Sequence, residues 1–436
     1  MQTDNVIWVF FAPLLVAAGC LETTTCGDLD CGPHSTCTEE GEDAVCVCDE
    51  GYAGADCGVC AMGYDDSDED GTCEPSDADW ADTGVIEGVT AHTWSPDSSA
   101  LAVIQCAPGQ PWACDVLVVD PSTGDTLVVA DDADPYNLGG WHDGWIYYRR
   151  YAVEGLPGTY AGDGEIWRVK PDGSELMQVT DTIANGIKVS SNPYYDNIGT
   201  VVWSQPIPES DWLYVLAHNG NGWYRTWRCD AASCDEPSEV IGISEPDLAW
   251  TIGPSQNGER LLYTSGSNWN SLMDLKSTAL DGSDKVLLVE DLQLQSRYAG
   301  SPDAQSVVYV DERGARQLRL VGMDGTGDRA LVPGGYEDLL TNYFDDGTNH
   351  GNVVNARVWS PNSKYVVFGS SRAAPFHVFR VDVDTGDLLQ ITAGDDINWA
   401  PSFSPNGAWI SYHRVPGDYE DVLVPFESEL VVIPAP

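Results

Sequence analysis

The chain has 436 residues and a formal net charge of −49, with 20 basic residues against 69 acidic ones. A surface this acidic repels phosphate groups, which excludes nucleic acid as a partner and disfavours anionic lipid headgroups. The length allows two or three domains and a substantial core. The charge has two interpretations: a solvated acidic coat that keeps the protein soluble, or acidic loops that collect Ca²⁺.

The N-terminal segment predicts export. Residues 6–18 are almost wholly apolar, which fits a signal-peptide h-region and is shorter than the roughly 20 residues of a membrane span. Two alanines and Gly19 then precede Cys20. This ending resembles a bacterial lipoprotein signal, which implies removal of residues 1–19, diacylation of Cys20 and anchoring in the membrane. The first five residues depart from that pattern because they include no Lys or Arg. An ordinary secretory signal, with Cys20 in a disulfide, is the alternative.

Eight of the 13 cysteines fall between Cys26 and Cys73, a density that indicates an oxidising compartment and a disulfide framework. One residue separates Cys46 from Cys48, and the segment 48–57 resembles the C-terminal half of an EGF-like domain. The segment around Cys60 resembles the extra loop of a laminin-type EGF module. These resemblances imply four pairs: Cys26–Cys37, Cys31–Cys46, Cys48–Cys57 and Cys60–Cys73. Spacing alone leaves the connectivity open, and a zinc site is a weaker alternative.

The last loop of this module contains alternating carboxylates before a glycine, which is a pattern that can wrap a hard cation in oxygen ligands. The sequence therefore proposes Ca²⁺ as the one candidate cofactor, with a ligand set of Asp66, Asp68, Asp70, Thr72 and Asp77. A solvated acidic loop is the alternative. We divide the N-terminal part of the chain into a tether at 20–25, the EGF-like module at 26–73 and an acidic linker at 74–82.

The remaining residues, 83–436, are organised by a short recurring phrase. It reads Trp94-Ser-Pro-Asp97, Ser301-Pro-Asp303, Trp359-Ser-Pro-Asn362 and Phe403-Ser-Pro-Asn406. An apolar strand follows each copy, and Asp-Gly or Thr-Gly hairpins join the later strands of each unit. We count seven units of roughly 45–60 residues, the range of propeller blades. The predicted fold class is therefore all-β, a β-propeller of seven blades, with six or eight as alternatives.

Two further features belong to the repeat domain. The last unit lacks a fourth strand, so we predict that residues 83–87 supply it and close the ring. The four cysteines of the repeat domain fall in two close pairs, each around a short loop. This spacing predicts two local disulfides, Cys106–Cys114 and Cys229–Cys234.

The repeat resembles the TolB-type (WD40-like) propeller repeat, most closely at residues 400–412 and at Ile391-Thr392. The resemblance implies an exported or periplasmic propeller that binds protein or peptide partners. TolB has six blades and a preceding α/β domain, a pattern absent here, so its particular role is not transferred. We expect a cell-envelope lipoprotein at the outer membrane whose propeller is a binding scaffold, with the EGF-like module as stalk or second contact surface. Its partner would be an envelope or extracellular protein or a glycan.

No catalytic motif stands out. The seven histidines are scattered without ligand spacing, no Gly-x-Ser-x-Gly occurs, and no pair of carboxylates is singled out for acid/base work. A site, if present, is expected at the mouth of the central channel, in loops that precede the first strands. The richest such loop is 342–352, and its candidates are Asp345, Asp346 and His350. A second loop contributes the candidates His142 and Asp143. Ordinary loop polarity is the alternative. A propeller hydrolase or lyase acting on polysaccharide or peptide is the alternative function.

Overall fold

The computed structural model divides the chain into two compact units, Met1–Asp77 and Ala78–Pro436. It describes six short strands between residues 35 and 75, and then residues 86–107, 110–151, 164–181, 200–206, 210–218, 224–239, 248–255, 258–266, 272–292, 298–311, 313, 316–340, 357–415 and 428–436. Every regular element in these ranges is a β-strand, which confirms the predicted all-β class. Within the same ranges there is no helix that could cross a membrane.

The first unit contains three antiparallel hairpins. β1 (Ser35–Glu40) pairs with β2 (Asp43–Cys48), β3 (Tyr52–Ala53) with β4 (Val59–Cys60), and β5 (Tyr64–Asp65) with β6 (Glu74–Pro75). The last hairpin encloses the acidic loop predicted to bind Ca²⁺. That loop, Asp77, residue Cys20 and the side chains of the eight cysteines lie outside what the structure describes. Lipidation, the four disulfide pairs and the Ca²⁺ site therefore stay predictions.

The second unit opens with β7 (Ile86–Glu87) and continues through sheets of four antiparallel strands. Sheets I to VI each use four strands that are consecutive in sequence. Sheet I comprises β8 (Val89–Trp94), β9 (Leu101–Ala107), β10 (Gln110–Val119) and β11 (Thr126–Ala130); sheet II comprises β12 (Ala133–His142), β13 (Trp145–Tyr151), β14 (Gly164–Val169) and β15 (Leu176–Gln178); sheet III comprises β16 (Thr200–Pro206), β17 (Trp212–His218), β18 (Tyr224–Asp230) and β19 (Ser238–Glu239).

Sheets IV to VII follow the same order along the chain. Sheet IV comprises β20 (Leu248–Pro254), β21 (Arg260–Gly266), β22 (Met273–Ala279) and β23 (Val286–Leu292); sheet V comprises β24 (Tyr298–Gly300), β25 (Ser306–Asp311), β26 (Gln317–Gly322) and β27 (Arg329–Ala330); sheet VI comprises β28 (Asp338–Leu339), β29 (Tyr365–Ser370), β30 (His377–Asp382) and β31 (Leu388–Gln390); sheet VII comprises β32 (Ile397–Phe403), β33 (Trp409–Val415), β34 (Glu429–Pro434) and, as its fourth strand, β7.

The two ends of the second unit meet in sheet VII. Glu87 lies opposite Glu429 and Ile86 opposite Leu430, so the predicted closing strand is present. The backbone N–H groups of Gly88 and Val89 donate to the Ser428 carbonyl at 2.9 and 3.3 Å. One apolar cluster covers this junction with buried side chains from β7, β8, β9, β10 and β34. Four-stranded sheets that follow one another and close on the first are the architecture of a β-propeller.

The recurring Ser-Pro-Asp/Asn phrase forms the turn between the first two strands of a sheet. In five turns the serine hydroxyl accepts a hydrogen bond at 2.8–3.1 Å from the backbone N–H five residues later; these serines are Ser95, Ser255, Ser301, Ser360 and Ser404. In four of them the same hydroxyl donates to the Asp or Asn two residues later at 2.5–2.7 Å. The serine repeats because it closes the turn, and Ser255 performs this role in a unit whose phrase is degenerate.

Both disulfides predicted for the repeat domain are present. Cys106–Cys114 joins β9 to β10 with a Cα–Cα distance of 4.0 Å. Cys229–Cys234 joins β18 to the loop that follows it, with a Cα–Cα distance of 4.8 Å. All four cysteines are buried, so each bond fixes a local loop against the core.

Candidate functional site

The sequence-predicted channel-mouth residues are placed only in part. His142 ends β12, and Asp143 follows it in the turn to β13 with a φ of 47°. His142 is half-buried and Asp143 is exposed. Burial lowers the pKa of His142, while the charges of Asp143 and Asp211 raise it. Both residues therefore sit where a first strand ends, not in a loop that precedes one.

The other three candidates, Asp345, Asp346 and His350, lie outside the described residues. On either side of these residues, Leu339 pairs with Gly369 and Trp359 bridges to Val366, so Leu339 and Trp359 share the neighbouring strand β29. The channel-mouth role of the 342–352 loop stays a prediction.

The described residues do form a polar cluster at the closure between sheets I and VII. We call it the closure cluster; its members are His92, Trp94, Ser411, His413 and Ser428. His92 and Trp94 alternate along β8, and Ser411 and His413 alternate along β33, so each pair lies on one face of its strand. His92 is partly exposed, and the other four side chains are buried.

One chain of hydrogen bonds runs through the closure cluster. Trp94 Nε1 donates to Ser411 Oγ at 3.0 Å, and Ser411 Oγ lies 2.8 Å from His92 Nε2. His92 Nδ1 lies 3.1 Å from His413 Nε2, and His413 Nδ1 lies 3.1 Å from Ser428 Oγ. Ser428 Oγ donates to the Val89 carbonyl at 2.7 Å. The chain joins residues more than 300 positions apart in sequence, as the separation of 321 between the two histidines shows.

The donors and acceptors of this chain define the proton positions. Ser428 uses its hydroxyl proton on Val89, so His413 Nδ1–H must donate to Ser428. His413 Nε2 then accepts from His92 Nδ1–H, and His92 Nε2 accepts from the Ser411 hydroxyl. The hydrogen bonds of this chain are all satisfied when both imidazoles are neutral and carry the proton on Nδ1, with the Ser411 proton on the shorter of its two contacts, 2.8 Å to His92 against 3.3 Å to the Ser402 carbonyl.

Burial keeps both imidazoles neutral. It lowers the pKa of His92 to about 4, and it lowers the pKa of His413 well below its ordinary value, with a further decrease from His92. Although His92 is partly exposed, both of its ring nitrogens face protein groups, so its imidazole is largely dehydrated. A base with such a pKa accepts protons poorly near neutral pH.

The contact between Ser411 and His92 has the distance of a nucleophile–base pair, but Ser411 is 0% exposed and its hydroxyl also accepts from Trp94. No substrate carbonyl can reach that oxygen without opening the closure. The arrangement is suited to holding sheets I and VII together. It is not suited to nucleophilic catalysis.

A third histidine forms hydrogen bonds between sheets VI and VII. His377 Nδ1 lies 3.3 Å from both Thr392 Oγ1 and Asn398 Nδ2, and His377 is 1% exposed. The amide of Asn398 is a donor, so Nδ1 accepts and the proton is on Nε2. Asn398 also donates from its backbone N–H to the Phe376 carbonyl at 2.8 Å. This group is part of the contact between neighbouring sheets.

Arg357 is a residue that the sequence analysis missed. It lies two positions before Trp359, as His92 lies two positions before Trp94, so the two occupy equivalent places in sheets VI and I. Its backbone N–H donates to Ser402 Oγ at 3.2 Å, and its carbonyl accepts from the Phe403 N–H at 2.7 Å. Burial lowers the pKa of its half-buried guanidinium, and no carboxylate among the described residues forms an ion pair with it. A polar residue two places before the aromatic residue of the repeat was the available sequence signal.

No group of three His, Cys, Asp or Glu side chains in the described ranges could hold a metal ion. The buried ion pairs in those ranges, Arg149–Asp134 and Arg372–Asp338, each place an arginine on the carboxylate at the start of a first strand. They neutralise buried charge within one sheet and offer no separate acid and base.

No family model matches the chain. It is 33% identical over 55 residues to an uncharacterized protein of Agrobacterium fabrum, a match that covers 13% of this chain and 19% of that protein. It is 31% identical over 83 residues to the Tol-Pal system protein TolB of Francisella tularensis, a match that covers 17% of this chain and 19% of TolB. The chain thus spans about a fifth of the length of these curated relatives.

Solved structures similar to the chain include an oligogalacturonate lyase in complex with manganese, with a TM-score of 0.45 and 12% identity over 67% of this chain and 86% of that one. TolB from Acinetobacter baumannii has a TM-score of 0.40 and 14% identity over 77% of this chain and 79% of that one. The β-propeller domain of the trilobed protease from Pyrococcus furiosus has a TM-score of 0.46 and 8% identity over 75% of this chain and 90% of that one. In sequence, one segment of this all-β chain is similar to TolB.

Proposed function

We propose that the protein is an exported, lipid-anchored component of the bacterial cell envelope whose seven-bladed propeller is a scaffold for binding a protein partner. The observation that carries this proposal is the closure cluster: the described contact that most resembles a catalytic pair is buried, neutral and used to close the ring. The segment of 31% identity to TolB supports an envelope location for the propeller. The EGF-like module, with its three hairpins, would serve as stalk or second contact surface.

The experiment is capture of partners from intact cell envelopes on the immobilised full chain, with and without EDTA. We expect one or a few proteins to be retained specifically after crosslinking. Loss of retention in EDTA would support the proposed Ca²⁺ loop as part of the contact. Retention of no protein, together with turnover of an envelope polysaccharide or peptide, would contradict the scaffold and support the hydrolase or lyase alternative.

The lipid anchor has a separate test. Mass spectrometry of the N-terminal peptide of the mature protein should show a diacylglyceryl group on Cys20. An unmodified N-terminus at Leu21 or later would contradict the anchor and leave an ordinary secreted protein.

A further inference from the structure

Exposed apolar side chains recur at one place in the repeat: two consecutive residues of a fourth strand. They occur in sheets I, II and VI as Leu127 and Val128 (49% and 58% exposed), Leu176 and Met177 (41% and 42%), and Leu388 and Leu389 (38% and 40%). Single exposed apolar residues are normal on protein surfaces. A repeated pair on the outer strand of three sheets is a different pattern, because both side chains of each pair are exposed.

A close approach between sheets I and II lies next to the pairs of these two sheets. Gly173, in the turn between β14 and β15, rests against the outer strand of sheet I: a Cβ added to Gly173 would lie 3.5 Å from the Val129 Cα. Val129 directly follows Leu127 and Val128, and Gly173 shortly precedes Leu176 and Met177. We call the surface formed by these four exposed side chains the rim patch; it consists of Leu127, Val128, Leu176 and Met177.

Carboxylates flank the rim patch. Asp120 and Asp125 lie in the turn before β11, and Asp172 and Glu175 lie in the turn before β15; all four are exposed. Hydrogen bonds from Ser122 lower the pKa of Asp120, and hydrogen bonds from Ser174 lower the pKa of Asp172, so both are ionised at neutral pH.

Two cations at the end of β14 also lie in this region, and both stack on an aromatic ring. Arg168 and Lys170 stack on Trp145, at 4.2 and 4.1 Å from the ring centroid. Arg168 Nη2 also lies 3.7 Å from the Met177 sulfur. Both cations keep their charge on the ring, but the four exposed carboxylates outnumber them, so the exposed charges around the four apolar side chains are mainly negative.

We propose that the rim patch is a docking surface for a cationic, amphipathic segment of a partner protein. The apolar side chains of that segment would cover Leu127, Val128, Leu176 and Met177, and its Lys or Arg residues would pair with the flanking carboxylates. Apolar contact supplies most of the affinity in such an interface, and charge complementarity supplies specificity and the association rate. This inference rests on the proposed scaffold function and names the chemistry of the partner.

The test uses the full chain and a labelled synthetic peptide of alternating Lys and Leu, with binding followed by fluorescence anisotropy. Two comparison peptides alternate Lys with Ser and Glu with Leu. We expect the Lys-Leu peptide to bind at least about tenfold more tightly than either comparison, since each comparison lacks one of the two required contacts.

Variants then locate the site. Replacing the four rim-patch side chains (L127S, V128S, L176S, M177S) should weaken Lys-Leu binding about tenfold or more. The pair Asp172→Asn and Glu175→Gln should weaken it at low salt and flatten its salt dependence; Asn at 172 keeps an acceptor for Ser174, so the turn is preserved. The matched control is Leu272→Ser with Tyr336→Ser, two residues that are 49% and 41% exposed outside the fourth strands. This control should leave binding unchanged.

Equal binding of the peptide to the rim-patch variant and to the unsubstituted chain would overturn the inference, because any acidic surface would then suffice. Unfolding midpoints of all variants should match that of the unsubstituted chain, since every substituted side chain is exposed. The same variants separate the two proposals. A native partner that is captured equally by the rim-patch variant leaves the scaffold function in place and contradicts the rim patch. Peptide binding that depends on the rim patch, with no partner captured from envelopes, contradicts the scaffold function alone.

Discussion

At the scale of single residues, buried polar side chains serve two structural purposes. The turn serines repeat from sheet to sheet and each closes a local turn. The closure histidines occur once and connect the two ends of the propeller. In both cases the polar atoms are satisfied within the protein, which is the condition for burying them without a large loss of stability.

The first prediction concerns a turn serine. Ser95 is 4% exposed; its hydroxyl accepts from the Ala100 N–H at 3.0 Å and donates to Asp97 at 2.7 Å. Ser95→Ala should lower the free energy of unfolding by about 1–2 kcal/mol, because the backbone N–H loses its partner. The exposed neighbour Ser99 is the control: its hydroxyl bonds only to Asp97, and Ser99→Ala should change stability by less than about 0.5 kcal/mol. Urea unfolding of the two variants measures both values, and equal effects would contradict the assigned role.

The second prediction concerns pH. The pKa of His92 is about 4 in the folded protein, against an ordinary value of 6.5. Between these values the unfolded chain binds more protons, so the stability from neutral His92 is complete above about pH 6.5 and decreases as the pH falls towards 4. The loss from this residue is on the order of 3 kcal/mol, and His413 changes stability in the same direction. Unfolding midpoints at several pH values measure the slope.

The variant H92Q/H413Q removes both titrating groups of the closure. The free energy of unfolding of this variant should depend less on pH between about 7.5 and 5 than that of the unsubstituted chain. The difference should be on the order of the few kcal/mol expected for the two histidines. His142→Gln is the control, since this histidine ends β12 and lies outside the closure cluster. Parallel slopes for H92Q/H413Q and the unsubstituted chain would show that the closure histidines are not the acid-sensitive groups.

At the scale of elements, the closure combines three kinds of interaction. β7 and β34 share backbone hydrogen bonds, an apolar cluster covers them, and the closure cluster links β8 to β33. The backbone pairing is short, with two residues on β7. Most of the stabilisation at this junction must therefore come from the apolar side chains and the polar chain behind them.

The third prediction tests the apolar part of the closure. Leu430 in β34 is 0% exposed and packs in the cluster that includes Ile86 and Val89. Leu430→Ala should cost about 2–5 kcal/mol, the usual range for removing a large apolar side chain from a packed site. Leu389→Ala, at a residue 40% exposed on β31, is the control and should cost far less. Hydrogen exchange should locate the loss of protection in Leu430→Ala at β7 and β34. Uniform loss over all sheets would contradict a local closure.

At the scale of the whole molecule, charge dominates. A net charge of −49 spread over one chain opposes compaction through self-repulsion, and salt bridges with 20 basic residues relieve only part of it. Many of the described arginines are used inside sheets, on carboxylates or on aromatic rings. The surface therefore remains strongly negative.

The fourth prediction follows from this repulsion. Raising NaCl from about 0.05 to 0.5 M shortens the Debye length from roughly 14 to 4 Å, so the melting temperature should rise by several degrees. An uncharged osmolyte that does not screen charge serves as the control for general solvent effects. A melting temperature that falls or stays constant with NaCl would show that the carboxylates are already neutralised, for instance by bound cations.

Local features of the fold could be predicted from the sequence. The Ser-Pro-Asp/Asn turn needs only a few neighbouring residues, so its repetition revealed the sheets, and the missing last strand revealed the closing segment. Cys106–Cys114 and Cys229–Cys234 were predictable for the same reason, because each pair is separated by a short loop. The common neighbour of Leu339 and Trp359 was not predictable, since only strand pairing shows that both residues lie beside β29.

The sequence by itself determined the all-β class, the repeating turn, the closing segment before Gly88 and the acidic surface, since each depends on local pattern or on composition. Only the tertiary structure decided that His92 meets His413 across 321 residues, that Arg357 occupies the equivalent place in sheet VI, and that Leu127 and Val128 are exposed. From the sequence alone, an apolar pair in a strand is as consistent with a buried core position as with an exposed one. Whether such a pair is buried depends on what packs against its strand. The closed arrangement of the sheets determines those packing neighbours.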